Sequence, residues 1–329
     1  MKNDRAKSNI LIAITIAAAL SGCAAKTDEK ETHYQAAIKD METHQPQKAL
    51  EEVDWLLRSG LIKDSEQLQK LFMLQGAAYV DLKDLKNAEQ AFENATDTVP
   101  VNATTYAALG EVLYEERQYK DAMSAFDQAL KINPKDKRAL HLRAMSRLAT
   151  GGDPEKSLID LEHANAVDPS DAQVAKDYVT SAEFLEKFRL GLYILDLLHE
   201  YNRDADTEEI HDRLWDEAMA QAKQDHVKRP LTAVPYAYQA YLYWDAGDLD
   251  NARQCVEKGM QMKDGKEVPL LWRIKGDLAA RDGKNEEALA DYDTAIKVFI
   301  QPKEVDRDLG SEITHLHRDK VLKKLGRTS

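Results

Sequence analysis

An all-α fold, built as a solenoid of antiparallel helix pairs, follows from three features of this 329-residue sequence. The first is recurrence. Gly76, Tyr79, Ala88, Phe92, Ala95 and Pro100 are followed thirty-four positions later by Gly110, Leu113, Ala122, Phe126, Ala129 and Pro134. The second is the i, i+3, i+4, i+7 spacing of the apolar residues between them, which gives each segment one apolar helical face. The third is composition: 43% apolar residues exclude a disordered chain, 14 Gly and 9 Pro exclude a collagen-like fibre, and 2 Cys exclude a disulfide scaffold. A formal charge of −13 also argues against nucleic acid as a partner, because phosphate binding needs clustered Lys and Arg.

The chain begins with an address. Lys2, Arg5 and Lys7 precede an uncharged run from Ile10 to Leu20, followed by Ser21, Gly22 and Cys23. Eleven helical residues reach about 16 Å, short of the roughly 30 Å hydrocarbon core, so the run is a signal h-region and not a spanning helix. Leu20-Ser21-Gly22-Cys23 resembles the lipobox of bacterial lipoproteins. That resemblance implies a signal peptide over residues 1–22, acylation of Cys23 with diacylglyceryl and fatty-acyl (palmitate-type) chains, and a lipidated tether over 23–29. More than one acyl chain meets the requirement for stable anchoring in a bilayer. In that family an Asp directly after the Cys retains the protein in the inner membrane. Ala24 stands there, which implies the periplasmic face of the outer membrane of a Gram-negative cell. Lipidation leaves Cys255 without a partner thiol, and its place beside Val256 on an apolar stripe suits a small buried hydrophobe.

The period continues beyond the first two units. Ala144, Ser157, Leu161, Ala164 and Pro169 follow with one residue inserted at a turn, 150–154. Ala37, Ala49, Val53 and Leu56 match near the start. Ala240, Gly247, Ala252, Val256 and Gly259 match later, as do Trp272, Gly276, Gly283, Ala288, Tyr292 and Ala295. The pattern resembles the tetratricopeptide repeat, a helix–turn–helix unit with small residues where its two helices touch. Six repeats are expected, over residues 30–63, 69–102, 103–136, 137–171, 233–266 and 269–302. They divide into a four-repeat N-terminal array, 30–171, and a C-terminal pair, 231–302. Tyr79, Phe92, Phe126, Trp272 and Tyr292 read as core packing.

Between residues 172 and 230 the register is lost, although helices are still expected over 171–188, 190–201 and 207–227. Phe184, Leu185, Phe188, Leu190, Leu192, Tyr193, Ile194, Leu195, Leu197 and Leu198 exceed the needs of one helix stripe. The surplus is either buried within the chain or presented to a second copy in a homodimer. Residues 304–325 read as a capping helix, within a cap and tail over 303–329.

Signatures of chemistry are absent. The sequence has no GxGxxG, GxxxxGK[ST], GxSxG, HExxH or CxxC. His315 and His317 are two apart and point to different sides of a helix, so they read as solvated polar positions. No catalytic residue, metal or cofactor is expected, and the chain is not read as an enzyme.

The tetratricopeptide resemblance implies a concave surface built from the first helix of each repeat. Its positions here would be Tyr34, Ile38, Met73, Ala77, Ala107, Glu111, Tyr114, His141, Met145, Leu148, Ala237, Tyr241, Trp244, Arg273 and Asp277. The Lys and Asn arrangement with which chaperone-binding relatives hold a peptide carboxylate is missing. Tyr114, His141, Met145, Tyr241, Trp244 and Arg273 instead suggest a mixed apolar groove for a helix or extended segment of a protein partner. Tyr241 and Trp244, three apart on one helix, are the expected exposed anchors. The organisation broadly resembles adaptor lipoproteins of the NlpI type. This implies a membrane-anchored scaffold for periplasmic or outer-membrane proteins, the alternative being a pilotin-like assembly factor for a secretion, pilus or polysaccharide-export complex.

Overall fold

A computed structural model describes residues 29–98, 102–202, 206–299 and 307–327. The signal segment, Cys23, Pro100 and Pro302 lie outside the described residues. Every regular element among those described is helical, and no described helix is long and apolar enough to cross a membrane. The chain forms two compact units, which divide after Asp168.

The first unit contains α1 (Glu29–Glu42), α2 (Pro46–Ser59), α3 (Ser65–Asp81), α4 (Leu85–Thr96), α5 (Ala103–Glu115), α6 (Tyr119–Ile132), α7 (Lys137–Ala149) and α8 (Pro154–Val167). They pack as four successive pairs. The second, third and fourth pairs begin where a polar side chain satisfies the first free amides of a helix: Asp64 accepts from Gln67 N at 2.9 Å, Asn102 from Thr105 N at 2.9 Å, and Asp136 from Ala139 N at 3.0 Å. Each pair turns through one residue in the left-handed region: His44, Lys83, Arg117 and Gly151, at φ 56° to 68°. Small residues then let the two helices close. A Cβ on Gly76 would lie 2.5 Å from the Phe92 ring, and one on Gly110 would lie 2.6 Å from the Phe126 ring. Phe126 is completely buried, which contributes about 1.5–3 kcal/mol. The recurring Gly and Phe are thus two sides of one contact.

The second unit contains α9 (Ala172–Phe184), α10 (Phe188–Tyr201), α11 (Glu208–Lys228), α12 (Val234–Asp245), α13 (Leu249–Gln261), α14 (Pro269–Arg281), α15 (Asn285–Phe299) and α16 (Arg307–Lys324). α12/α13 and α14/α15 are the two expected repeats, turning at Gly247 and Gly283 with φ of 74° and 79°. A Cβ on Gly276 would lie 2.6 Å from the Tyr292 ring, the same contact as in the first unit. α16 packs on α15, as a cap should.

The segment expected to be out of register contains a further helix pair. α9 and α10 pack together, Asp171 caps α9, and Glu186 turns at φ 57°, thirty-five residues after Gly151. This left-handed turn ends α9 at Phe184, short of the expected residue 188. The pair lacks the usual signature because buried Val179 stands where the first helix of the other repeats carries Gly or Ala, while Gly191 occupies the second-helix position that is Ala or Ser elsewhere. A Cβ on Gly191 would lie 2.9 Å from Leu214 of α11 and 3.7 Å from Val179. The surplus apolar residues of α10 are consumed inside the unit, since Leu192, Ile194, Leu195, Leu197 and Leu198 are at most 1% exposed. Leu185, Phe188, Leu190 and Tyr193 are half-buried, and Phe184, at the end of α9, is 75% exposed.

Candidate functional site

In the first unit, the first helices of the pairs are α1, α3, α5 and α7, and α5 touches α7 directly. Tyr114 of α5 and Met145 of α7 are half-buried at the groove positions, and Met73, Val80 and Leu148 share that partial exposure. Tyr114 packs edge-on against Tyr119 with ring centres 5.5 Å apart. Glu111 pairs with Arg138 at 3.3 Å. Burial raises the Glu111 carboxyl while Arg138 pulls it down, and burial prevails. His141 departs from expectation: it is 8% exposed, so it belongs to the wall of the face and not to its accessible surface.

The equivalent face of the second unit is occupied by its own chain. α10 lies against groove-position residues of α12 and α14 and against α16. The Tyr241 hydroxyl donates to Asp196 of α10 at 2.6 Å, and the Tyr193 ring meets Tyr241 edge-on at 6.2 Å. Lys320 of α16 pairs with Glu200. Tyr241, expected to be an exposed anchor, is therefore 2% exposed. Its aromatic partner Trp244 is half-buried, 6.1 Å from the His317 ring. Arg273, expected to line an open groove, is wholly buried. Its guanidinium lies 5.2 Å and 5.3 Å from the Tyr193 and Tyr241 rings and near the charges of Asp277 and Asp196, yet donates no hydrogen bond to a described residue.

Around Arg273 runs a network of charges that the sequence did not disclose. Asp277, 5% exposed, accepts from the Tyr292 hydroxyl at 2.8 Å and pairs with His317 Nδ1 at 2.6 Å. Burial disfavours the His317 cation, but Asp277 and Glu200 outweigh it and hold the imidazole up to about 9. His317 is thus a part-buried, ion-paired group, its side chain 14% exposed, not the solvated position expected, whereas His315 is exposed. Glu200 is held down to about 2 by His317 first and Lys320 next. On the other side of Arg273, burial and the charge of Asp245 raise Asp196 to about 6. Contact with Asp245 holds His211 of α11 up to about 9. Residues 196, 211, 245, 277 and 317 share no local motif, so only packing brings them together.

Comparison with known families accounts for this frame. One tetratricopeptide repeat model matches residues 79–146, and a second matches residues 239–304. The chain carries tetratricopeptide repeats. Both models are of repeats, and no enzymatic family is indicated. No curated protein matches the chain. Among solved structures, the chain is similar to MamA residues 41 to the end from Desulfovibrio magneticus RS-1, at 20% identity and a TM-score of 0.48, covering 55% of this chain and 99% of that one. A tetratricopeptide repeat protein from Parabacteroides merdae aligns at 18% identity and 0.42, covering 76% and 99%. YrrB, described as a TPR protein with an unusual peptide-binding site, aligns at 20% identity and 0.45, covering 60% and 93%. Tetratricopeptide repeats bind peptides and proteins, and the repeat fold of this chain is that of an interaction scaffold.

Proposed function

We propose that this protein is a lipid-anchored adaptor of the bacterial envelope, and that the concave face of its first unit receives a protein partner. One observation carries the choice of face. Tyr114, Met145 and Leu148 remain accessible at groove positions of the first unit, whereas Tyr241 and Arg273 in the second are covered by α10. Partly exposed aromatic and Met side chains are effective anchors for a helix or strand of another protein, because they bury large area at small entropic cost. The anchor rests on the sequence: basic residues, a short apolar run and Leu20-Ser21-Gly22-Cys23 in that order.

The two parts are tested separately. A Cys23→Ala protein is expected to leave the membrane fraction, and its retention there would overturn the anchor. A Tyr114→Ala/Met145→Ala protein is expected to keep wild-type helicity and to lose the partner recovered by crosslinking in intact envelopes. Recovery of the same partner at unchanged yield would overturn this face as the site. A secretin or export subunit as that partner would select the pilotin reading over the adaptor.

A further inference from the structure

Three helices of the second unit converge on a group of side chains with the composition of a metal site. Asp196 of α10, His211 of α11 and Asp245 of α12 each direct one ligand atom so that all lie within 4.8 Å of one another, and they form the one such group found among the described residues. We propose that Asp196, His211 and Asp245 bind a divalent transition-metal ion, Zn²⁺ in the first instance.

The contact between His211 and Asp245 supports this. His211 Nε2 lies 3.0 Å from Asp245 Oδ2, but that oxygen, buried in a side chain only 11% exposed, accepts no well-aligned hydrogen bond from a described residue. The two atoms face one another at the separation of two ligands of one ion instead of along an N–H axis. Ligands bound at about 2.0–2.1 Å on a tetrahedral ion stand roughly 3.3 Å apart. The outer contacts fit as well. Asp196 already accepts from Tyr241 at 2.6 Å, and a ligand carboxylate held by a second hydrogen bond is the usual arrangement around a metal. On the far side of His211, Nδ1 lies 3.6 Å from Asp212, a carboxylate placed to orient the ring after a small movement. The positive charge of Arg273 reaches Asp196, but it also interacts with Asp277, so it does not cancel the two carboxylates of the group.

Two carboxylates with one imidazole favour Zn²⁺, Mn²⁺ or Co²⁺ over Mg²⁺ and Ca²⁺, which take oxygen ligands alone. His211 binds as the neutral imidazole through Nε2 and releases its proton to water. Because the donors come from three helices, the ion would fasten α10 and α11 to α12 and hold the second unit's concave face closed.

The full chain, stripped of metal and titrated with ZnCl₂ alone, is expected to take up one ion per chain with a rise in melting temperature. MgCl₂ is expected to produce neither. His211→Ala and Asp245→Asn are each expected to weaken Zn²⁺ uptake at least about thirtyfold, while His315→Ala leaves it unchanged. X-ray absorption at the zinc edge is expected to show nitrogen and oxygen neighbours without sulfur. Asp196→Asn and Asp245→Asn preserve side-chain volume and carry the test if His211→Ala fails to fold. Absence of saturable Zn²⁺ uptake, uptake that persists in both Asn variants, or a sulfur neighbour would overturn the proposal. None of these readouts depends on the partner-binding face of the first unit.

Discussion

Met145 in α7 and Tyr241 in α12 hold the same place in their repeats, one residue after the small residue that admits the paired helix, but their surroundings differ. Met145 stays half-exposed, whereas Tyr241 is buried and donates its hydroxyl to α10. The same position holds Glu111 in α5, a quarter exposed and paired with Arg138, and Asp277 in α14, buried among Arg273, Tyr292 and His317. One repeat frame therefore produces either an accessible face or a sealed polar core. What decides is whether another helix of the same unit lies across it. In the second unit, α10 does so through Tyr193, Asp196 and Glu200, while five of its Leu or Ile side chains are nearly fully buried, so the helix is held by packing as well as by charge.

The largest effect expected from this contrast is at Asp277. Asp277→Ala would leave the buried Arg273 cation without the Asp277 charge and His317 with Glu200 alone, at a cost of about 3–5 kcal/mol. Glu111→Ala, at the equivalent place on the open face, is expected to cost about 1 kcal/mol or less, because its pair is part-exposed. Thermal melts followed by circular dichroism compare the two, and equal losses would break the distinction between the faces.

A somewhat smaller effect is expected from pH. The folded-state pKa of His317, about 9, lies above its ordinary value of 6.5. Its stabilisation is therefore complete below about pH 6.5 and lost as pH rises through about 9, amounting to roughly 3 kcal/mol. His317→Gln is expected to reduce the alkaline decline in the stability profile of the second unit by that share, the remainder belonging to His211, which Asp245 also holds up to about 9. An unchanged profile would show that the Asp277 pair is not the source.

Gly110→Ala and Gly276→Ala sharpen the comparison from the opposite direction, since the helix contact they disturb is common to both units. Each added methyl meets an aromatic ring, Phe126 or Tyr292, at 2.6 Å and is expected to cost about 1–2 kcal/mol after the helix-propensity gain of Ala. Similar losses measured by urea titration would place the difference between the units in the face and not in the frame. The smallest effect on stability belongs to Tyr114→Ala/Met145→Ala. Substitutions at that part-exposed surface are expected to stay within about 0.5 kcal/mol of wild type in the same titration.

Much of the frame was legible in the sequence. The Gly76/Phe92 and Gly110/Phe126 contacts repeat at a fixed spacing, Pro precedes the Asx residues that start α5, α7 and α9, and apolar stripes have a helical period. The α9/α10 pair was not legible, because Val179 replaces the small first-helix residue, and Gly191 alone in the second helix does not carry the signature. The concave positions were identified by register, but their accessibility was not. Burial of Tyr241 and Arg273 depends on where α10 lies, a non-local fact without a periodic trace.

Local spacing along the chain specified the helices and, in the six repeats with a regular signature, their pairing and inward-facing residues, because these depend on contacts between neighbours in the chain. Only the tertiary structure decided which face is sealed and which polar groups meet. Asp196, His211, Asp245, Asp277 and His317 lie on five helices, and their ionisation follows from burial and from charges brought together across the fold. Electrostatic energy depends on distance in space, and long separations along a chain leave that distance unspecified.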